Sequence, residues 1–434
     1  MEQKRSDGLR IDFDRVIGRI RPVHNVGRMP EYEINSEIDR RFTEANMTSC
    51  RTHDINVTDL FRLFPDFTRD VNDESAYHFA ESDKVLAAIV DTGMETFFRL
   101  GISYSDPVRD REHLLPPPDY LKWAQICEHV ILHYNEGWAN GFRYHIRYWE
   151  IWNEPDNEEE PEINVFWQGT PEEFYRLYDV AATYLKRRFP ELRIGGYGSC
   201  GFYALTKTNA VNTGSSPRNR YFITFFEGFL AYLAEHRPPM DFFSWHSYTT
   251  TERNERYLAY VREKLESVGY GSAEIICNEW NYDPTENDRL DRRYGANQTS
   301  MLLMFQNRGL DLAHYYCGIC YPPSVHAGMF VKGGKPSTAY YGFWAFGQLY
   351  RLGNQVEITG TLPADLYAVA AAGEGGHALL LANVSATEDV VLNIDAGEYR
   401  PDRCMTVNED REWVEIPFPE TLASGSMLYV TFRK

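Results

Sequence analysis

Tyr148-Trp149-Glu150-Ile151-Trp152-Asn153-Glu154-Pro155 reads as a short aromatic and β-branched strand that stops at a proline. The Asn-Glu pair before that proline has nothing to gain from a core. It suits the rim of a barrel or sheet, where chemistry is usually carried. Glu274-Ile275-Ile276-Cys277-Asn278-Glu279-Trp280 has the same shape. Two carboxylates, each presented at the end of an apolar strand, are the minimum equipment for cleaving a glycosidic bond.

The surroundings of these stretches set the fold. Short apolar runs at 94–100, 145–151, 192–195, 242–245, 275–277 and 312–317, with weaker ones at 21–25 and 49–55, give eight candidate strands. Amphipathic helices separate them. Trp123, Cys127, Val130 and Tyr134 share one helical face. Thr170-Pro171-Glu172-Glu173 is a capping box with proline at the first helical position. Repeated βα units predict a (β/α)8 TIM barrel over 17–350. A doubly wound sheet would advertise a Gly-rich phosphate loop after its first strand, and none is present. From 355 to 434 the pattern changes to short strands divided by Gly, Pro, Asp and Asn, which predicts a small C-terminal antiparallel β-sandwich. Residues 1–16 are expected to lend it a strand.

At roughly 40 residues per βα unit, Glu154 and Glu279 fall on barrel strands 4 and 7, so both face one mouth. A retaining glycosidase needs its carboxyl groups about 5–5.5 Å apart, one to attack the anomeric carbon and one to protonate the leaving oxygen. Asn153 could hydrogen-bond the sugar 2-hydroxyl. His24, His53 and His246 lie at or just beyond predicted strand ends and could bind hydroxyls, or be satisfied structural histidines. Tyr248 and Trp280 complete the substrate-binding candidates.

Composition narrows the partners. A net charge of −19 offers no basic stripe for nucleic acid or an anionic membrane. Aromatic residues reach 15%, enough to stack on sugar faces but also to fill a large core. The run Glu158-Glu159-Glu160 reads as a solvated loop. Neither an apolar leader nor a membrane-length apolar segment is evident, which with the odd cysteine count predicts a cytoplasmic protein with buried free thiols. Cys317 and Cys320 form a lone CxxC without the second pair a zinc ribbon needs. His129 and His133 are four apart, but Val130 follows His129, so the HExxH pattern fails and no metal is expected. Oligomeric state is not legible.

Several motifs together resemble glycoside hydrolase family 39, the β-xylosidase and α-L-iduronidase family of retaining (β/α)8 glycosidases. They are Arg51-Thr52-His53, the stretch from Trp149 to Asp156, Phe166-Trp167, the helix opening at Thr170, Leu192-Arg193-Ile194-Gly195-Gly196, Ser244-Trp245-His246 and Asn278-Glu279. The resemblance spans most of 20–350. It implies Glu154 as acid/base, Glu279 as nucleophile, a glycone subsite lined by Asn153, His24, His53 and His246, and no cofactor. Iduronate-cleaving members place a lysine two residues after the strand-6 histidine. This chain has Tyr248 there, which disfavours a uronic acid unless Arg289, Arg292 or Arg293 supplies the charge. The reading is a retaining exo-glycosidase on β-linked xylose or a similar pentose, with an arabinosidase, an iduronidase-like enzyme, an endo-glycanase or a transglycosidase as alternatives. A non-catalytic carbohydrate-binding protein is the remote one.

Overall fold

The computed structural model describes residues 8–28, 36–104, 110–206, 216–282, 291–319, 328–330 and 334–434. After an N-terminal strand, β1 (Leu9–Arg19), come eight barrel strands: β2 (Asn25–Gly27), β3 (Ser49–Arg51), β4 (Glu95–Leu100), β5 (Tyr148–Ile151), β6 (Arg193–Ser199), β7 (Phe242–Tyr248), β8 (Glu274–Asn281) and β9 (Leu312–Tyr316). All pair in parallel with their neighbours. Val26 of β2 sits opposite both Cys50 of β3 and Tyr315 of β9, which closes the barrel.

Alternation along each strand divides the side chains between two compartments. Trp149, Trp245, Trp280 and Tyr315 are fully buried in the main core that joins barrel to helices. Phe97, Phe242, Ile276 and Leu312 form a separate cluster with Tyr148, plugging the barrel interior toward its N-terminal end. Two residues further along β5, β7 and β8, on the same face, come Glu150, Ser244 and Asn278. The interior thus turns polar toward the carboxyl ends of the strands.

The C-terminal strands are β10 (Asn354–Thr359), β11 (Leu366–Gly373), β12 (Gly376–Asn383), β13 (Val390–Val391), β14 (Ile394–Asp395), β15 (Arg400–Val407), β16 (Trp413–Ile416), β17 (Thr421–Leu422) and β18 (Ser426–Arg433). They and β1 build an eight-stranded sheet in the order β14-β1-β10-β11-β12-β18-β15-β16, with β13-β17 as a separate ribbon. β1 pairs antiparallel with β10 as far as Arg19 opposite Asn354, so the N-terminal strand runs on past residue 16. The second layer of the expected sandwich is only that ribbon. The reason lies in β11, where Ala368 and Ala370 join the module's own core while Val369 and Ala371 join the barrel core. One face of the sheet is thus spent on the barrel's helices, with Trp344 of the helix Thr338–Leu352 edge-on to Tyr429.

Cys50, Cys127, Cys200, Cys277 and Cys404 are free and buried, whereas Cys317 is disulfide-bonded. The expectation of free thiols throughout is corrected there, and Cys320 lies outside the described residues. No helix among the described residues is long and apolar enough to cross a membrane.

Candidate active site

The two strand-end carboxylates meet at the C-terminal mouth of the barrel. An oxygen of Glu154, a ring nitrogen of His246 and an oxygen of Glu279 lie within 4.8 Å of one another. Both carboxylates keep a little exposure, 16% for the Glu154 side chain and 10% for Glu279, whereas everything beneath them is sealed.

Local backbone geometry aims them. Trp152 and Glu154 both have positive φ, 74° and 46°, a conformation that non-glycine residues rarely adopt. This double turn sends Trp152 outward against Trp123 and Trp167 while Asn153 and Glu154 face the mouth. The Glu154 N–H donates to the Gly198 carbonyl at 3.0 Å. Gly198 has φ +64°, and a Cβ there would stand 3.1 Å from His246 Nε2 and 3.3 Å from Arg51 Nη2, so the approach requires glycine. On β8 the register against β7 slips between Cys277 and Glu279. This bulge turns two consecutive residues, Asn278 and Glu279, into the site, where strict alternation would send one outward.

Each carboxylate oxygen has a partner. Glu154 Oε1 lies 2.7 Å from His246 Nδ1, and Oε2 accepts from Asn157 Nδ2 at 2.9 Å. Glu279 Oε2 accepts from Arg51 Nη1 at 3.1 Å and lies 3.7 Å from His53 Nε2, and Oε1 accepts from the Tyr248 hydroxyl. Arg51 Nη2 donates to Asn153 Oδ1 at 2.6 Å, which leaves Asn153 Nδ2 buried and without a partner among the described residues. Such an amide donor suits a ligand hydroxyl.

Burial and a second carboxylate ordinarily raise the pKa of an acid, but here His246 intervenes. Burial pushes the Glu154 carboxyl up, but the hydrogen bond and charge of His246 outweigh it and hold the group below its ordinary value. Glu279 is raised, by burial first and by the Glu154 charge second. His246 is itself raised, its burial overcome by the charges of Glu279 and Glu154. Glu154 Oε1 and His246 Nδ1, 2.7 Å apart, thus shift each other in opposite directions. His53 is held neutral by burial and by the Arg51 and Arg99 charges. Glu154, His246 and Glu279 lie close enough for a cation, but Arg51 already stands against Glu279 in that space, and a cation would have to displace it.

Of the residues named from sequence, Asn153, Glu154, His53, His246, Tyr248 and Glu279 come together here. Two do not. His24 precedes β2, at the opposite end of the barrel. Its Nε2 donates to the Asn46 carbonyl at 3.0 Å, its ring packs against Phe346 and Tyr350, and burial pushes its pKa down to about 4. Trp280 faces the helices, against Phe305, Tyr315 and Phe343, because it follows the inward Glu279 by one residue. Trp280→Ala is accordingly expected to cost about 3–5 kcal/mol of stability, read as a lower Tm, with KM of the folded fraction unchanged. A raised KM at wild-type Tm would put the ring in the site instead.

The charge considered for a uronic acid is also directed elsewhere. Arg293 donates to the Ser385 and Ala386 carbonyls and Arg292 stands 3.8 Å from Glu409, both in the C-terminal module, and Arg289 lies outside the described residues. His129 and His133 bind the Gln125 carbonyl and the Trp138 carbonyl with Asp83. Sequence reasoning missed Arg51 and Glu150 as site residues. Both stood inside quoted motifs, and the signal was a charged residue on the inward register of an otherwise apolar strand.

The family model described as glycosyl hydrolases family 39 matches residues 19–272. A β-xylosidase of Geobacillus stearothermophilus is 27% identical over 199 residues, covering 44% of this chain and 34% of that protein. A β-xylosidase of Caldicellulosiruptor saccharolyticus is 25% identical over 235 residues, covering 49% and 42%. The matched stretch thus spans between about a third and two fifths of the length of these curated relatives. A glucosidase from Croceicoccus marinus superposes over 99% of both chains with a TM-score of 0.76 at 20% identity, which shows a common fold.

Proposed function

This chain belongs to glycosyl hydrolases family 39, matched over more than half its length, and on that footing we propose that it is a retaining exo-glycosidase acting on β-linked xylose or a related pentose. The observation that carries the mechanism is the close approach of Glu154 and Glu279, within 4.8 Å oxygen to oxygen. That distance supports direct attack rather than the wider gap, about 6.5–9.5 Å between carboxyl groups, that an inverting enzyme keeps for water.

In the first step the Glu279 carboxylate attacks the anomeric carbon as the bond to the leaving oxygen breaks. Glu154 supplies the proton to that oxygen. The proton held between His246 Nδ1 and Glu154 Oε1 needs to move only along their hydrogen bond to make Glu154 the acid. Ester formation consumes the Glu279 charge, and Glu154 then takes a proton from water as the water attacks the same carbon. Asn153 Nδ2 is the donor for the 2-hydroxyl, a contact that strengthens as oxocarbenium character grows. Arg51 and Tyr248 hold both oxygens of the nucleophile. A neutral sugar is favoured by Tyr248, whose hydroxyl is engaged with Glu279, and by the direction of Arg292 and Arg293 away from the mouth.

The test is a panel of aryl glycosides: β-D-xyloside, α-L-arabinosides, β-D-glucoside, β-D-galactoside and α-L-iduronide. Release is expected from the β-xyloside, with net retention of configuration by NMR. Turnover of the iduronide alone would overturn the sugar assignment, and an inverted first product would overturn the mechanism.

A further inference from the structure

Beneath the two catalytic candidates lies a third carboxylate to which the double-displacement steps give no role. Glu150 is fully buried, and three hydrogen bonds and an ion pair engage both its oxygens. Arg51 Nε and Nη2 reach Oε2 at 2.8 and 2.7 Å. Ser244 Oγ donates to Oε1 at 2.6 Å and Asn278 Nδ2 donates to the same oxygen at 2.5 Å. These donors come from β3, β7 and β8, and Glu150 itself from β5. Ser244 stands two residues before His246, Asn278 one before Glu279, and Glu150 four before Glu154. Arg51 in turn reaches Glu279 and Asn153. One inward carboxylate therefore ties together the four strands that carry the reacting groups.

We propose that Glu150 is a positioning residue that fixes the Arg51 guanidinium, and through it both the nucleophile and the presentation of the Asn153 amide. This rests on the glycosidase reading above. The planar fork of Arg51 offers five N–H groups in fixed directions. With Nε and one face of Nη2 held by Glu150, only Nη1 is directed at Glu279, while Nη2 also takes Asn153 Oδ1. That contact decides which end of the amide faces the mouth: the oxygen is tied down and the N–H is offered. Glu150 also divides the guanidinium charge, so that Glu279 does not receive all of it. Arg99, opposite Glu150 on β4, is committed to Asp59 at 2.5 Å.

Glu150→Gln keeps the shape and removes the charge. Its NH2 must then face either Arg51 or the two donors Ser244 and Asn278, so one donor–donor contact is unavoidable. The expected result is a fall of about 10²-fold in kcat/KM, mostly in kcat. The second readout is the acid limb of the pH profile. Glu279 is faced by Arg51 and His53 from β3 and the turn after it, by Glu154 beyond β5, by His246 and Tyr248 of β7, and by Tyr316 of β9. Of these only the Arg51 charge is released by the substitution. Glu279 must be ionised to react, and an uncompensated cation beside it favours the ionised form. The acid limb therefore moves to lower pH, by about one unit.

A residue that merely filled space would lower activity without moving the limb. Glu150→Asp is the second variant should the first not fold: it keeps the charge but withdraws it from Arg51, and the limb moves the same way by less. An acid limb at the wild-type pH in whichever variant folds overturns the proposal, even where activity falls. Wild type and Glu279→Ala are run alongside. If wild type hydrolyses no glycoside, or Glu279→Ala matches it, the glycosidase reading fails; if both behave as expected and the limb stays put, only the role of Glu150 fails.

Discussion

Glu279→Ala is expected to lower kcat on every accepted glycoside by about 10⁵-fold, some 7 kcal/mol of barrier. No other carboxylate among the described residues is free to take over. Glu154, the proposed acid, is drawn toward His246 and Asn157, and Glu150 is sealed beneath Arg51 with both oxygens engaged. The substitution leaves Arg51 Nη1, the Tyr248 hydroxyl and His53 around a void the size of a carboxylate. A small anion should enter that space, held by donors already arranged for two oxygens. Azide or formate is therefore expected to restore measurable turnover of a glycoside with a good leaving group, with inverted configuration in the azide product, because only one displacement then occurs. Residual activity within tenfold of wild type, on protein of unchanged Tm, would remove Glu279 from the nucleophile's role.

Glu154→Gln should reveal a different dependence. Loss of the acid is expected to cost about 10²–10⁴-fold on xylobiose or an alkyl xyloside, whose leaving oxygens need the proton. With a 2,4-dinitrophenyl leaving group the first step needs no proton and should survive nearly intact, so the glycosyl-enzyme accumulates and the burst precedes a slow steady state. Azide should accelerate that steady state with retained configuration. The basic limb of kcat/KM belongs to the pair rather than to one residue, since Glu154 and His246 share the proton. Below the point where the pair loses its proton the wild type is competent; above it the acid is gone. The variant has no such proton to lose, and its profile should be flat there. Equal losses on all leaving groups would mean that Glu154 does not deliver the proton.

The barrel was legible because each strand announces itself by β-branched and aromatic residues and each helix by its own period. The Thr170 box forms as expected, with the Glu173 N–H on Thr170 Oγ1 and the Thr170 N–H on Glu173 Oε2. Glu154 and Glu279 were legible because a strand-end acid has few reasons to exist. His24 misled because its strand is three residues long, too short for sequence to tell the start from the end. Trp280 misled because aromatic residues serve sugars and cores alike, and the deciding fact was a one-residue parity relative to Glu279. Asn278 and Glu279, adjacent in sequence, both enter the site only through the β8 bulge, which no period of two foretells. Glu150 was hidden by the opposite difficulty: inside a run of large apolar residues, a carboxylate shows its partners only when the barrel closes and brings Arg51, Ser244 and Asn278 to it.

The pairing of β1 with β10 imposes an order on the making of the molecule. Leu9–Arg19 leaves the ribosome long before its hydrogen-bonding partner Asn354–Thr359, which follows about 335 residues later. At ordinary synthesis rates that is an interval of roughly 15 to 70 seconds. Throughout it, a strand carrying Leu9, Ile11 and Phe13 has no sheet to join, and its edge is open to any neighbouring nascent chain. The charged residues interleaved with those three, Arg10, Asp12 and Asp14, are the kind that discourage such encounters until Asn354–Thr359 emerges and pairs with the strand.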